Sequence, residues 1–73
     1  MHYTVTGYSL HGHPLLTFYT ENGQEALKLS DAVAKDMPSI VKLTVQAIPT
    51  VNQPRVIEGW NRCNGSVRYF DGK

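Results

Sequence analysis

The sequence predicts an α+β domain. Its core is a β-β-α-β unit with one helix packed on a small mixed sheet of order 2-1-3, followed by a C-terminal β-hairpin or flexible arm. Three observations predict it. Residues 17–37, TFYTENGQEALKLSDAVAKDM, pass from a strand through a turn into a helix with a single apolar side. Residues 2–8 and 40–48 alternate with the period of two that marks a half-buried strand. Near the end, Asn64-Gly65 separates two short runs of strand-forming residues, the strongest short-range signal for a hairpin.

The helix is the best-defined element. Asn22 is placed to cap it, because its side-chain oxygen accepts from a free backbone N–H two or three residues on. Glu25 follows at the spacing of a capping box, and Glu21 and Glu25 set negative charge near the positive end of the helix dipole. At 100° per residue, Leu29, Val33, Ala26, Met37, Ser30, Ala34 and Leu27 share an arc of roughly 160°. Ser30 is the only polar residue in that arc. Pro38 ends the helix, since the residue before a proline is pushed out of the α region.

The strands follow in order. Tyr3, Val5 and Gly7 alternate with Thr4, Thr6 and Tyr8 in the first. Residues 9–14, SLHGHP, reverse the chain, with Gly12 the natural site for a positive φ. Residues 15–19, LLTFY, return as the second strand, and the two pair as a hairpin. In residues 40–48, Val41, Leu43, Val45 and Ala47 alternate with Lys42, Thr44 and Gln46. A right-handed crossover carries this third strand to the far side of the first. Val5, Leu16, Phe18, Val41, Leu43 and Val45 are then expected to meet Ala26, Leu29, Val33 and Met37 of the helix. Two prolines within residues 49–54 break regular structure. The chain thus divides into a core over residues 1–48 and, over residues 49–73, a Pro-bounded linker with a C-terminal hairpin or tail. That second hairpin either extends the sheet or projects from it, and the last few residues are expected to fray.

Composition narrows the functional classes. Seventy-three residues, 41% of them hydrophobic, make one folded domain close to the size at which an apolar core suffices unaided. The net charge of +1 gives no global field for polyanions. Cys63 is the single cysteine, so an internal disulfide and a cysteine-based zinc site are both excluded, as suits a reducing compartment. No apolar run approaches the roughly 18 residues of a membrane span, and no basic-then-apolar leader pattern opens the chain. The expectation is a cytoplasmic monomer without a membrane partner.

Charge is divided unevenly along the chain. Residues 1–53 carry three lysines against four carboxylates, whereas residues 54–73 carry Arg55, Arg62, Arg68 and Lys73 against Glu58 and Asp71. The three arginines are interleaved with Trp60, Tyr69 and Phe70, types enriched at binding hot spots and able to grip single-stranded nucleic acid. The plainer reading is that the rings seal a small core while the arginines stay solvated. On the functional reading, Arg55, Trp60, Arg62, Arg68, Tyr69 and Phe70 bind a partner, joined by Lys42 on the exposed edge of the third strand. The same edge offers unpaired backbone groups for strand addition, with Lys42 discouraging self-association.

Chemistry is thinly represented. His11 and His13 flank Gly12, a pair that supplies two metal ligands only if a third joins them, with His2 and Cys63 the remaining soft candidates. Solvated turn histidines are the simpler reading. Cys63 sits beside Arg62 at the hairpin turn, but nucleophilic work needs a base brought close, which nothing in the spacing provides. Glu21, Glu25, Asp31 and Asp36 are accounted for by capping and by a solvated helix face. The chain is therefore expected to be no enzyme, with no metal, cofactor or catalytic set.

Residues 18–29, FYTENGQEALKL, resemble a design that recurs among small phage-encoded inhibitors of bacterial RNA polymerase. In it a strand ends in Tyr-x-Glu and a short turn leads to a helix opening on Glu-Ala-Leu-x-Leu. The likeness covers Tyr19, Glu21, Glu25, Ala26, Leu27 and Leu29, with the element order through Ile48, and nothing after Pro49. It implies a non-enzymatic protein that binds the polymerase in a bacterial host and interferes with promoter opening, factor engagement or RNA exit. The expected function is thus a protein-binding regulator of transcription. The alternatives are a single-stranded nucleic-acid-binding module using the Arg/aromatic segment, and a structural or oligomerisation module using an open sheet edge.

Overall fold

The computed structural model describes residues 1–51 and 53–71. Five strands and one helix follow in the order β1 (His2–Tyr8), β2 (Pro14–Thr20), α1 (Gly23–Asp36), β3 (Lys42–Ile48), β4 (Arg55–Cys63) and β5 (Ser66–Asp71). They form one sheet of order β2-β1-β3-β4-β5 with the helix on one face. The 2-1-3 arrangement of the first three strands is as the crossover argument requires. Each hydrogen-bonded pairing is antiparallel. The mixed sheet expected from the sequence is thereby corrected to an antiparallel one, because β2 and β3 each pair with β1 and not with each other.

The helix begins where its cap predicts. The Asn22 side chain accepts from the backbone N–H groups of Gln24 and Glu25 at 2.9 and 3.2 Å. The reciprocal half of the capping box is replaced, because the Asn22 N–H donates to the Thr20 hydroxyl at 3.1 Å. The last strand of the hairpin thereby holds the first turn of the helix. Ala26, Ser30 and Val33 form its buried stripe.

The core cluster is Val5, Ala26, Val33, Ile40, Leu43, Val45 and Trp60. Three expected members differ. Phe18 and Met37 are 41% and 38% exposed, since β2 is an outer strand with no neighbour beyond it and Met37 stands at the helix end. Val41 is half-buried, and Ile40 takes the place under Gly7 that the alternation had given to the strand residue. β3 starts only at Lys42, so Val41 belongs to the approach to the strand.

The larger correction concerns the second hairpin, which extends the sheet. Leu43 pairs with Trp60 and Thr44 with Gly59, which makes β3 the central strand. Lys42 therefore lies between Tyr8 and Asn61 inside the sheet, and its expected edge position is overturned. The outer strands are β2 and β5. The hairpin closes as its sequence predicts: Cys63 pairs with Ser66, and Asn64 and Gly65 take φ of 52° and 83°. Positive φ at both loop positions defines the turn type that matches strand twist. Asn52, within the predicted break, and Gly72 and Lys73, expected to fray, lie outside the described residues.

β4 approaches its neighbours most closely at Gly59. A Cβ there would meet the Leu43 carbonyl oxygen and the ring of Phe70, whose residue pairs with Gly59 across the sheet. Backbone on one side and a ring on the other leave no direction for relaxation. Gly59→Ala is expected to destabilise the fold by about 1–3 kcal/mol in urea denaturation followed by circular dichroism. An unchanged midpoint would show that the β3–β4 spacing is looser than this contact implies.

Candidate functional surface

Strand register sorts the predicted binding residues onto opposite faces. Val5 pairs with Val45, Leu43 with Trp60, and Trp60 with Tyr69, so Trp60 and Tyr69 stand on the helix side. Arg62 follows Trp60 at the next position of the same side. Arg55, opposite Ala47, lines a small hollow with Tyr3 and Ile57 at the far end of that side. Only Lys42, Arg68 and Phe70 lie on the helix-free face. The predicted set of seven is thus not one surface.

Trp60 and Arg62 serve the fold. Trp60 is 0% exposed, and its indole N–H donates to the Ser30 carbonyl oxygen at 3.1 Å. The Arg62 guanidinium lies 5.2 Å from the Trp60 ring and donates to the carbonyls of Ala34 at 2.9 Å, Ile40 at 3.0 Å and Met37 at 3.4 Å. A cation at this end of a helix meets the negative pole of its dipole and its unpaired carbonyls. Trp60 has no surface left for a partner, so it cannot be the binding anchor expected of it. Arg62 Nε and Nη2 are engaged within the fold, while the half-buried residue also lines an open depression.

Tyr69 is tied to the helix as well. Its hydroxyl donates to Asp31 Oδ1 at 2.8 Å. Burial and that hydrogen bond hold the phenol protonated above its usual range. Glu58 stands beside it, pairing with Asp71 across the strands. Partial desolvation, then the charges of Asp31 and Asp71, raise its carboxyl above the ordinary value of 4.5.

The helix-free face is built from cross-strand rows. One row runs Tyr8–Lys42–Asn61–Arg68 through β1, β3, β4 and β5. The next runs Thr17–Thr6–Thr44–Gly59–Phe70 through all five strands. Lys42 Nζ lies 5.8 Å from the centre of the Tyr8 ring, and Phe70 rests on Gly59. At the end of the sheet beside the first row, Tyr8, Leu10, Lys42 and Asn61, together with Val41 and with Arg62 of the helix side, border an open depression of about 470 Å³. No carboxylate stands on this face among the described residues.

The β2 edge is the second feature. PLLTFYT contains no charged residue, and Leu15, Phe18 and Tyr19 are 53%, 41% and 75% exposed. The β5 edge, by contrast, carries Arg68 and Asp71. Sequence reasoning missed this contrast because it weighed only the β3 edge, although its 2-1-3 order left β2 outer as well. The absence of charge across seven residues was the available signal. Leu15 is an extra residue opposite the Gly7/Tyr8 step, a bulge that leaves Leu16–Thr20 as the regular part of the edge.

Cys63 is exposed beside the turn, and no group of three His, Cys, Asp or Glu side chains is placed to hold a metal among the described residues. Among the same residues no helix is long and apolar enough to cross a membrane. No protein-family model, curated protein or solved structure matches this chain.

Two predictions test the helix side. Arg62→Gln is expected to cost about 2–3 kcal/mol of stability, because charged donors to several carbonyls are lost together. Arg62→Lys should recover less than half of that, since an ammonium lacks the planar fork. Equal stability of all three in urea would refute the capping role. The second concerns pH. A raised folded-state pKa means the native state holds the Glu58 proton more tightly, so this contribution is fully present below about 4.5 and is lost as pH rises through the folded value. The urea midpoint of Glu58→Gln, measured against wild type, should therefore gain between pH 4.5 and 7; a falling difference would contradict the assignment.

Proposed function

We propose that this chain is a small protein-binding regulator that engages its partner through the β2 edge. The observation that carries the reading is the uncharged, apolar character of that edge. An outer strand presents a row of unpaired N–H and C=O groups, which natural sheets normally blunt with charge. Here the strand carries none, while side chains on both of its faces remain exposed. An extended partner segment adding to β2 would gain main-chain hydrogen bonds, with Phe18 on one face and Leu15 and Tyr19 on the other as apolar anchors. A stable interface covers roughly 800 Å² per side, which asks for residues around the strand as well, and the exposed Leu10 stands in the adjoining loop.

The resemblance of residues 18–29 to phage inhibitors supports bacterial RNA polymerase as the partner, although its matched residues run mainly along α1 and meet the edge at one residue. Tyr19 is common to the resemblance and the strand, and Glu21 follows at the turn into the helix. The Arg/aromatic tail gives the reading no support, because Trp60 and Arg62 are used within the fold. Regulation would then proceed by occupying a polymerase surface, without a pocket or a chemical step.

Purified bacterial RNA polymerase, flowed over the immobilised chain, is expected to bind with at least micromolar affinity. Thr17→Lys places a charge on the exposed edge without touching the core and should weaken binding about tenfold or more. Absence of wild-type binding would remove the polymerase. Undiminished binding by the variant would remove the β2 edge.

A further inference from the structure

We propose that the helix-free face of the sheet is a binding surface for single-stranded nucleic acid, separate from the β2 edge. The first support is the segregation of charge. All six carboxylates of the chain lie in α1, in the turn leading to it, or on the helix side of β4 and β5. The opposite face bears Lys42 and Arg68, both exposed and two strands apart in one cross-strand row. At the usual strand spacing that is about 10 Å, with no carboxylate between them to neutralise either. A net charge of +1 is therefore an average over two unlike sides.

The second support is the placement of rings. Tyr8 and Phe70 lie on the same face, each half-buried, in neighbouring rows. Phe70 settles over Gly59, where no side chain lifts it from the sheet, and Tyr8 sits beside Lys42. Rings held low on a β surface leave area on which unpaired bases stack, whatever their identity. Between them Thr44 and Asn61 offer uncharged donors and acceptors for base edges. The depression beside Tyr8, Lys42 and Asn61 is within the size range of small-ligand sites and has room for one nucleotide.

These features select among polyanions. Two cations are few for a duplex, whose grip depends on many phosphate contacts. An acidic protein surface would use the cations but not the rings. Unpaired nucleotides use both.

The test is fluorescence anisotropy of a labelled oligothymidine at low salt. Quenching of tryptophan is uninformative, since Trp60 is fully buried beneath the helix. The wild-type protein is expected to bind, with a log–log salt slope of about −1.4 for two phosphate contacts to a single strand. Lys42→Gln and Arg68→Gln should each reduce that slope by about half. Phe70→Leu should weaken binding about tenfold, and the two cation variants stand in for it should the change loosen the Gly59 contact. Arg55→Gln, on the other side of the sheet, should leave binding unchanged. No binding at low salt, equal affinity for a duplex of the same length, or equal competition by polyglutamate would each overturn the proposal.

Discussion

The fold depends on a clasp between one strand and the backbone of the helix. A helix of 14 residues with three fully buried side chains, one of them a serine, has little apolar area to hold it. Trp60 supplies what is missing. Its ring fills the core opposite Leu43, and its N–H reaches the Ser30 carbonyl midway along the helix. Arg62, two residues on, secures the end. Pro38 has no N–H, so the Ala34 carbonyl lacks the donor that position i+4 normally provides. The Arg62 guanidinium supplies that donor and also reaches Ile40 and Met37. The residue that stops the helix creates the vacancy that a distant strand fills.

This explains what was legible in the sequence and what was not. The helix, its Asn22 cap, the Pro38 stop and the Asn64-Gly65 turn all rest on interactions within a few residues, and each stands where expected. The 2-1-3 order of the first three strands also stands as expected. What failed was non-local. Trp60 and Arg62 look like binding anchors because such residue types are enriched there, and only the pairing of β4 with β3 reveals what lies above them. Nothing within residues 49–54 announces that pairing. Once β4 covers β3, the edge expected at Lys42 passes to β5, β2 remains the other outer strand, and the candidate surface shifts to it.

The sheet also separates two electrostatic environments within a small molecule. On the helix side Asp31, Glu58 and Asp71 stand near one another, and partial burial followed by the charges of the other two raises the Glu58 carboxyl. Tyr69 offsets part of this by donating to Asp31. Because the strands alternate, neutral or cationic residues are left to the other face. A single inversion of parity in β5 would exchange Arg68 and Phe70 for Tyr69 and Asp71. The two-residue turn between Cys63 and Ser66 fixes that parity. Its positive-φ residues therefore determine which charges each side presents, although they touch neither.

The same geometry keeps the two proposed surfaces apart. Thr17 on β2 and Arg68 on β5 are separated by four strand spacings, or about 19 Å, across a sheet whose core ties every strand to the next. Substitutions that far apart and without shared partners add in free energy. A protein bound along the β2 edge would then be insensitive to changes at Arg68, and a nucleic-acid strand gripped by Lys42, Arg68 and Phe70 insensitive to changes at Thr17. Tyr8 and the depression it shares with Leu10 lie where the two surfaces adjoin. Non-additivity between changes at Thr17 and Arg68 would have a different meaning: one extended ligand crossing the whole sheet. The strand order makes that distinction measurable, because an edge and a face that met at the same residues could not be told apart by substitution.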